Sequence, residues 1–348
     1  MNCADTTSNA LTLDAVLAAA TSMKFEPCTG QVAMRSGFVN AMHHSSGTYC
    51  HALNDDVFVL TMRRQEKLLP AKVISEELQP KIDALQLEKG RPLGRKEKQA
   101  LKEELIQTLL PRAFSQSTQM NAIIDKASGY MLVDTSSAGR AEDLLSMLRK
   151  GLGSLPALPW IDGNKLSSSM QTWLTGQNLP EGMVLGHAVK LAAPDEEGAK
   201  ASFDNQILTA LDVQNQLEDK LVVEMVLSCA ERCTFKIKDN GGLSQIKWHE
   251  FITNTNDELG WDDLVLRLDA DLLLIVDQMR SIIAAILAVV GAPEVRAVPD
   301  NAAVTVYAPA FGDDHGDDHL YGPAVDFVKS TRKVSVSAVQ RQFRIGYN

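Results

Sequence analysis

The sequence predicts an α+β fold, because strand signals and helix signals occur in separate runs and not in strict alternation. The stretch "NAIIDKASGYMLVDTSS" is typical of two strands joined by a turn at Ser128-Gly129. A further strand pair is predicted in "KLVVEMVLSCAERCTFKIKDNGGLSQIKW", where residues 239–242 are a strong turn signal. Apolar residues at helical spacing predict a long amphipathic helix over residues 264–287.

The N-terminal part adds one helix and one strand to this fold. Helical spacing begins at Leu11 and continues through "LTLDAVLAAATSM", and the strand-like "FVLTM" occupies residues 58–62. Another helix is predicted in "AEDLLSMLRKGLGSLPALP", and we expect Gly151 to end it.

Composition and charge exclude several classes of protein. The 348 residues include 45% hydrophobic and 22% charged residues, which is typical of a globular chain and not of a disordered one. The formal net charge of −10 argues against a generally basic nucleic-acid coat protein but is compatible with a local basic surface. The five cysteines are an odd number and no secretory signal precedes them, so we expect a reducing, cytoplasmic location.

The most apolar stretch is "SIIAAILAVVGA", residues 281–292. It is shorter than the roughly 20 residues that a membrane-spanning helix needs, and Arg280 and Glu294 flank it. We therefore predict a buried helix and no membrane partner.

A helical hairpin with a basic end is predicted between residues 63 and 112. Leucine and isoleucine recur at helical spacing in two segments, and glycine and proline residues break the chain between them. The expected tip carries Arg91, Arg95, Lys96 and Lys98. From the residues alone these cations are either ordinary solvent-facing charges or contacts to nucleic-acid phosphates, and both interpretations stay open.

The sequence lacks the common nucleotide-binding and hydrolase motifs GxxxxGK[ST], GxGxxG and GxSxG. We therefore expect no enzyme and no cofactor.

One alternative is a metal-dependent nuclease or hydrolase that uses "GDDHGDDH", with candidate ligands Asp313, His315, Asp317 and His319. A hydrated acidic spacer is the simpler interpretation of this segment. Cys229 and Cys233 lack the second pair that a structural zinc site needs.

Three motifs occur in the order "EKLLP", "LLPRAFS" and "LRKGLGSLP". In this order and spacing they closely resemble the RdgC family of recombination-associated proteins, and weaker similarity covers roughly residues 11–292. The resemblance implies a ring-shaped homodimer that encloses double-stranded DNA without marked sequence preference. It also implies a protein that restrains RecA-promoted strand exchange and is associated with the nucleoid.

The same resemblance implies the site residues. The finger residues of the family carry over onto Arg91 at the hairpin tip and onto Arg112 and Phe114 of "PRAF". We expect the arginines, together with the other tip cations, to contact DNA phosphates, and we expect Phe114 to close the ring in a pocket of the other subunit. In the alternative interpretation Arg112 is a helix-terminal arginine and Phe114 a core residue.

The sequence departs from the family at three places. Family members begin with an apolar strand where this chain has "MNCADTTSN", so either a sheet edge is unfilled or the start lies upstream. Residues 203–206, Phe-Asp-Asn-Gln, stand where the family tends to carry a basic pair, which affects a subunit contact or a DNA contact. The C-terminal tail is foreign to the family.

That tail, "DDHLYGPAVDFVKSTRKVSVSAVQRQFRIGYN", looks like the start of the gamma domain of FtsK-type DNA translocases. The resemblance rests on Leu320-Tyr321, "SAVQR" and "IGYN", and it implies a winged helix whose recognition helix and wing follow "GYN". About two helices cannot form a winged-helix core alone, so we expect a partial helix-turn-helix without sequence reading. A sequence-specific DNA-binding regulator stays open as a third alternative.

The expected organisation therefore has four parts. An atypical segment occupies residues 1–10, and an RdgC-like body with a finger at about 66–114 occupies residues 11–295. An acidic linker follows at residues 296–319, and the FtsK-like tail occupies residues 320–348.

Overall fold

The computed structural model describes residues 11–43, 47–194, 198–230, 232–256 and 264–293. These residues form two five-stranded antiparallel sheets with helices packed against them, so the predicted α+β class is confirmed. The predicted N-terminal segment, the acidic linker with "GDDHGDDH" and the C-terminal tail lie outside the described residues.

The described strands divide between an N-terminal and a C-terminal sheet. The N-terminal sheet contains β1 (Met34–Val39), β2 (Cys50–Ala52), β3 (Val57–Lys67), β4 (Ser115–Asp125) and β5 (Tyr130–Val133). The C-terminal sheet contains β6 (Met183–Ala192), β7 (Lys200–Asp204), β8 (Leu221–Cys229), β9 (Cys233–Lys238) and β10 (Leu243–Trp248). Their orders are β1-β3-β4-β5, with β2 also paired to β3, and β10-β9-β8-β6-β7.

Both predicted turns connect neighbouring strands. Gly129 has a φ of 74° between β4 and β5, and Gly241 has a φ of 82° between β9 and β10. Glycine adopts this left-handed conformation without the steric cost of a side chain. The stretch predicted as one strand pair folds as three strands, because the chain also turns between Cys229 and Cys233.

The helices differ widely in length. They are α1 (Leu13–Ser22), α2 (Ala71–Lys89), α3 (Arg95–Leu109), α4 (Ala138–Leu152), α5 (Gly163–Leu174), α6 (Leu211–Gln214), α7 (Glu250–Thr253) and α8 (Leu264–Val290). Thr12 accepts a hydrogen bond at the start of α1, and Ser137 and Asp162 do the same for α4 and α5.

One face of the N-terminal sheet packs against α1 and α4. Phe58 and Leu60 alternate along β3 and point to this face, where Leu144 and Leu148 of α4 are buried with them. Alternate positions of the same strand point to the opposite face, as the pleat of a strand requires.

The end of α4 differs from the prediction. The helix continues through Gly151 and is capped by Gly153, which has a φ of 80°. A Cβ at Gly151 would lie 2.8 Å from the Cβ of Ala19 in α1. Gly151 is therefore explained by the close contact of two helices and not by a helix end.

The opposite face of the N-terminal sheet shares a second core with the C-terminal sheet. Val57 and Val59 of β3 are buried in this core together with Phe235 and Ile237 of β9. Helices α5 and α8 contribute to it as well, the latter through Met279. The two sheets therefore belong to one packed unit.

Helix α8 contains the most apolar stretch of the chain. Among the described helices it is the one long and apolar enough to cross a membrane, with a mean hydropathy of 2.1 in an 18-residue window of Val265–Val290. The long helix predicted over residues 264–287 is confirmed, and it extends to Val290, so it includes residues 281–290 of the apolar stretch. Ile282, Ile283 and Ile286 are buried in the second core as predicted, and core helices commonly pass the same length and composition test.

Candidate nucleic-acid interface

The predicted helical hairpin is inserted between β3 and β4. Helices α2 and α3 connect Lys67 to Ser115, and the apolar residues Ile74, Ile82 and Leu105 are buried within the hairpin. With 19 residues, α2 is roughly 28 Å long. The hairpin therefore has two ends, a tip at the α2–α3 loop and a base at the N-terminal sheet.

The tip carries the predicted group of cations. Gly90 ends α2 with a φ of 61°, and the loop that follows leads into the first turn of α3. The exposed cations of the tip include the four predicted residues Arg91, Arg95, Lys96 and Lys98, together with Lys89 at the end of α2. The structure therefore brings these four predicted residues together, and their contact with DNA stays a prediction.

Glu97 lies among these cations and offsets part of their charge. Its carboxylate accepts hydrogen bonds from Arg91 Nη1 at 3.0 Å, Arg91 Nη2 at 2.9 Å and Lys89 Nζ at 2.9 Å. The Gly94 N–H donates a further bond at 2.9 Å, which is one half of a capping box. These donors, with Arg91 first, hold the pKa of Glu97 well below its usual range, and Glu97 in turn raises the pKa of Arg91.

This role of Glu97 was not predicted from the sequence. The signal that could have found it is the Gly-x-x-Glu spacing from Gly94 to Glu97 at the start of α3. Of the predicted tip residues, Arg91 is thus already paired with a carboxylate, while Arg95, Lys96 and Lys98 project from the exposed side of α3.

Arg112 and Phe114 lie at the base of the hairpin. Arg112 is exposed in the short 3₁₀ helix Leu110–Arg112, and Phe114 is 84% exposed. The alternative in which Phe114 is a core residue is therefore wrong. Its backbone is nevertheless held in place, because its carbonyl accepts a hydrogen bond of 2.8 Å from the Leu68 N–H.

The predicted contact residues therefore form two groups and not one. The 15 residues of α3 separate the tip cations from Arg112 and Phe114 by roughly 20 Å. Each group can bind a partner independently. The tip can do so through its cations, and the base through Arg112 and the exposed aromatic ring of Phe114.

Residues 203–206 lie at the outer edge of the C-terminal sheet. Phe203 of β7 packs against the second core, and Asn205 has a φ of 55° in the turn that follows. The Gln206 N–H donates a hydrogen bond of 3.1 Å to the His187 carbonyl. Asp204 and Ile207 are both exposed, so this edge presents a carboxylate and an apolar side chain, and residues 203–206 include no cation.

The metal-site hypothesis receives no support from the described part of the chain. Within it, no group of three or more His, Cys, Asp and Glu side chains could hold a metal ion. Cys229 and Cys233 face each other across the β8–β9 turn as free thiols, and a hydrogen bond from Cys233 lowers the pKa of Cys229. The four candidate ligands of "GDDHGDDH" lie outside the described residues.

Fold and site together define a two-sheet α+β protein with a basic helical hairpin between two strands of one sheet. The family model described as "Putative exonuclease, RdgC" matches residues 4–292. This chain belongs to the RdgC family, as its motifs predict.

Relatives named "Recombination-associated protein RdgC" agree with this assignment. The protein from Psychromonas ingrahamii is 37% identical over 269 residues, which cover 77% of this chain and 89% of the relative. The protein from Aeromonas hydrophila is 36% identical over 271 residues, covering 78% of this chain and 89% of the relative. A third, from Serratia proteamaculans, is 34% identical over 275 residues, covering 79% and 90%.

The C-terminal tail has a separate similarity. The family model described as "Ftsk gamma domain" matches residues 315–348, which confirms the predicted resemblance of this segment. These residues lie outside the described part of the chain.

Proposed function

We propose that this protein is a double-stranded DNA-binding protein of homologous recombination that acts as a ring-shaped homodimer around the duplex. The observation that carries the proposal is the group of exposed cations at the hairpin tip, in a chain whose net charge is −10. Membership in a family of recombination-associated proteins supports the same function.

The proposed DNA contact is electrostatic and independent of sequence. Arginine and lysine side chains bind phosphates and release condensed counterions, which makes binding steeply dependent on salt. The tip cations and Arg112 at the base supply such contacts at both ends of the hairpin. A surplus of acidic residues elsewhere is compatible with this arrangement, since the local distribution of charge determines where DNA binds.

Ring closure is assigned to Phe114. Its exposed ring is presented at the hairpin base on a hydrogen-bonded backbone, and an aromatic side chain of this kind is a typical interface anchor. We propose that Phe114 of each subunit enters an apolar pocket of the other subunit. A closed ring keeps the DNA enclosed and slows its release.

The proposed biological role is the restraint of RecA-promoted strand exchange in the cytoplasm, on the nucleoid. A protein that encloses duplex DNA limits access to it, and this role needs neither catalysis nor a cofactor. Sedimentation of the protein with and without duplex tests the homodimer, and a strand-exchange assay tests the effect on RecA. A monomer at micromolar concentration, or undiminished strand exchange at saturating protein, would contradict these two parts.

The test of DNA binding is a salt series with a labelled duplex of random sequence. We compare the wild type with Arg95→Ala/Lys98→Ala, which removes two tip charges and leaves the Arg91–Glu97 pair in place. The salt dependence is the slope of the logarithm of the binding constant against the logarithm of the salt concentration, called here the log–log salt slope. The wild type should have a steep slope, and in the variant the slope should be smaller by about two units. The control Lys150→Ala/Lys165→Ala removes two exposed lysines from α4 and α5 and should keep the slope. Absence of wild-type binding at low salt would overturn the proposal.

A further inference from the structure

The solvent face of the C-terminal sheet carries a second group of cations. In β9, Phe235 and Ile237 are buried in the second core, so Lys236 and Lys238 point to the opposite face. The register of neighbouring strands adds further polar side chains to that face. These are Lys190 of β6, Glu224 and Ser228 of β8, Thr234 of β9, and Ser244 and Lys247 of β10.

Three of these lysines surround one carboxylate. Glu224 lies directly opposite Lys238 on one neighbouring strand and opposite Lys190 on the other. Its carboxylate is 3.0 Å from Lys190 Nζ and 3.5 Å from Lys236 Nζ. Burial alone would raise the pKa of Glu224, but the hydrogen bond from Lys190 and the charges of the three lysines outweigh it and lower the pKa.

The face therefore has a surplus of positive charge. One carboxylate offsets one of the three lysines around it, and Lys247 adds a further cation on the outer strand. The hydroxyl groups of Ser228 and Thr234 lie between Lys247 and the sheet centre, where they bond to each other at 3.3 Å. Within the described strands, Asp204 at the end of β7 adds a second carboxylate to this face.

We propose that this face is a second binding surface for the phosphate backbone of duplex DNA, separate from the hairpin. The inference rests on the proposed function and adds to it a site on a different sheet. A sheet face with point charges and hydroxyl donors can bind a phosphate backbone without reading bases. Val184 and Val226 are hydrophobic residues on the described part of this face, and of the two Val184 is the largely exposed one, so an apolar protein partner is a poor match.

Glu224 has a positioning role in this surface. By accepting contacts from Lys190 and Lys236 it keeps these long side chains extended over the middle of the sheet. Lys238 and Lys247 flank this central group on strands β9 and β10. They are therefore the lysines whose removal leaves both direct ion pairs of the carboxylate intact.

The test compares duplex binding by the wild type, Lys238→Ala/Lys247→Ala and the control Lys150→Ala/Lys165→Ala. The first variant should lower the log–log salt slope by about two units, and the control should leave it unchanged although it removes the same charge. Lys247→Ala alone, at an exposed position, should lower the slope by about one unit. This single variant distinguishes the loss of a phosphate contact from a folding defect in the double variant.

The outcomes separate this inference from the proposed function. The second surface would be overturned if the wild type binds with a steep slope and both Lys238→Ala/Lys247→Ala and Lys247→Ala keep that slope. The proposed function of the hairpin would then remain intact. Failure of the wild type to bind any duplex at low salt would instead overturn the proposed function itself, and the second surface with it. An equal loss of slope in the variants and in the control would show a general charge effect and would also overturn the inference.

Discussion

Arg91 and Glu97 form a bidentate ion pair at the tip of the hairpin, with hydrogen bonds of 3.0 Å and 2.9 Å from the two terminal nitrogens of the arginine. The pair crosses the loop from the end of α2 to the first turn of α3. Arg91 Nη1 also donates to the Pro92 carbonyl at 3.2 Å. Within the described residues, the Nε edge of the guanidinium has no hydrogen-bond partner. Arg91 can therefore bind a phosphate while it remains paired with Glu97.

The first prediction concerns Glu97→Gln. The substitution removes the negative charge beside Arg91 and Lys89, so the tip gains net positive charge. We expect the log–log salt slope of duplex binding to increase by about one unit and the affinity at low salt to rise. Fluorescence anisotropy across a salt series measures both quantities.

The control for this prediction is Glu103→Gln, on the exposed side of the same helix, where the carboxylate accepts a hydrogen bond from Gln99. It removes the same charge away from Arg91 and should change the slope less. A weaker affinity of Glu97→Gln would contradict the prediction and would show that Glu97 orients Arg91 more than it offsets its charge.

Strong local signals made the hairpin and its flanking strands predictable. The β-type stretch before it, the glycine and proline break and the helical spacing of apolar residues each agree with the observed elements. The pairing of Glu97 with Arg91 was not predictable in the same way, because it depends on side-chain positions across a turn. The lysines of β9 alternate visibly with Phe235 and Ile237, but only the packing of both sheets shows which face stays open.

The second prediction uses the close contact of α1 and α4. In Gly151→Ala the new Cβ would lie 2.8 Å from the Cβ of Ala19 and 2.9 Å from its carbonyl oxygen, so one helix must shift. Overpacking of this kind costs roughly 1–3 kcal/mol, against which alanine regains up to about 1 kcal/mol of helix propensity. We therefore expect a net loss of roughly 1–2 kcal/mol in the free energy of unfolding, measured by urea denaturation.

Gly139→Ala is the matched control in the first turn of α4. Its Cβ would have Ser137 Oγ at 4.0 Å as its nearest neighbour, so only the helix propensity changes. This variant should be as stable as the wild type or slightly more stable. Equal stability of Gly151→Ala and Gly139→Ala would contradict the packing explanation for Gly151.

The third prediction concerns the ion pair that joins β4 to α8. Asp125 is 2% exposed and accepts hydrogen bonds from Arg280 at 2.6 Å and 2.7 Å, with further bonds from the hydroxyl and N–H of Ser128. Burial would raise the pKa of Asp125, but the bonds from Arg280 and Ser128 outweigh it and lower the pKa. Because Arg280 is partly exposed, we expect Asp125→Asn to cost roughly 2–4 kcal/mol at pH 7.

The same ion pair predicts a dependence on pH. A carboxylate whose pKa is lowered by folding stabilises the protein above its unfolded pKa of about 4, and this stabilisation is lost as the pH falls through the folded value. The difference in the free energy of unfolding between wild type and Asp125→Asn should therefore shrink below about pH 4. Asp83→Asn, at an exposed position of α2 away from this ion pair, is the control and should show little difference at either pH. A difference that is constant between pH 3 and pH 7 would contradict the role assigned to the charge of Asp125.

The fourth prediction tests the exposed ring at the hairpin base. Because Phe114 is 84% exposed, Phe114→Ala removes little packing within the subunit, and its melting temperature should stay close to that of the wild type. If the ring closes the dimer around DNA, its loss should speed dissociation from duplex by roughly tenfold or more while association changes little. Stopped-flow competition with unlabelled duplex measures the dissociation rate.

Leu87→Ala is the matched control for the loss of an exposed apolar side chain. Leu87 is 87% exposed on α2 of the same hairpin, close to the tip and away from the base. It should leave the dissociation rate unchanged, because ring closure is assigned to the base. A dissociation rate of Phe114→Ala equal to that of Leu87→Ala, in folded protein that still binds, would remove Phe114 from the mechanism. A faster rate in Phe114→Ala alone would show that the base of the hairpin, and not its charged tip, limits the release of DNA.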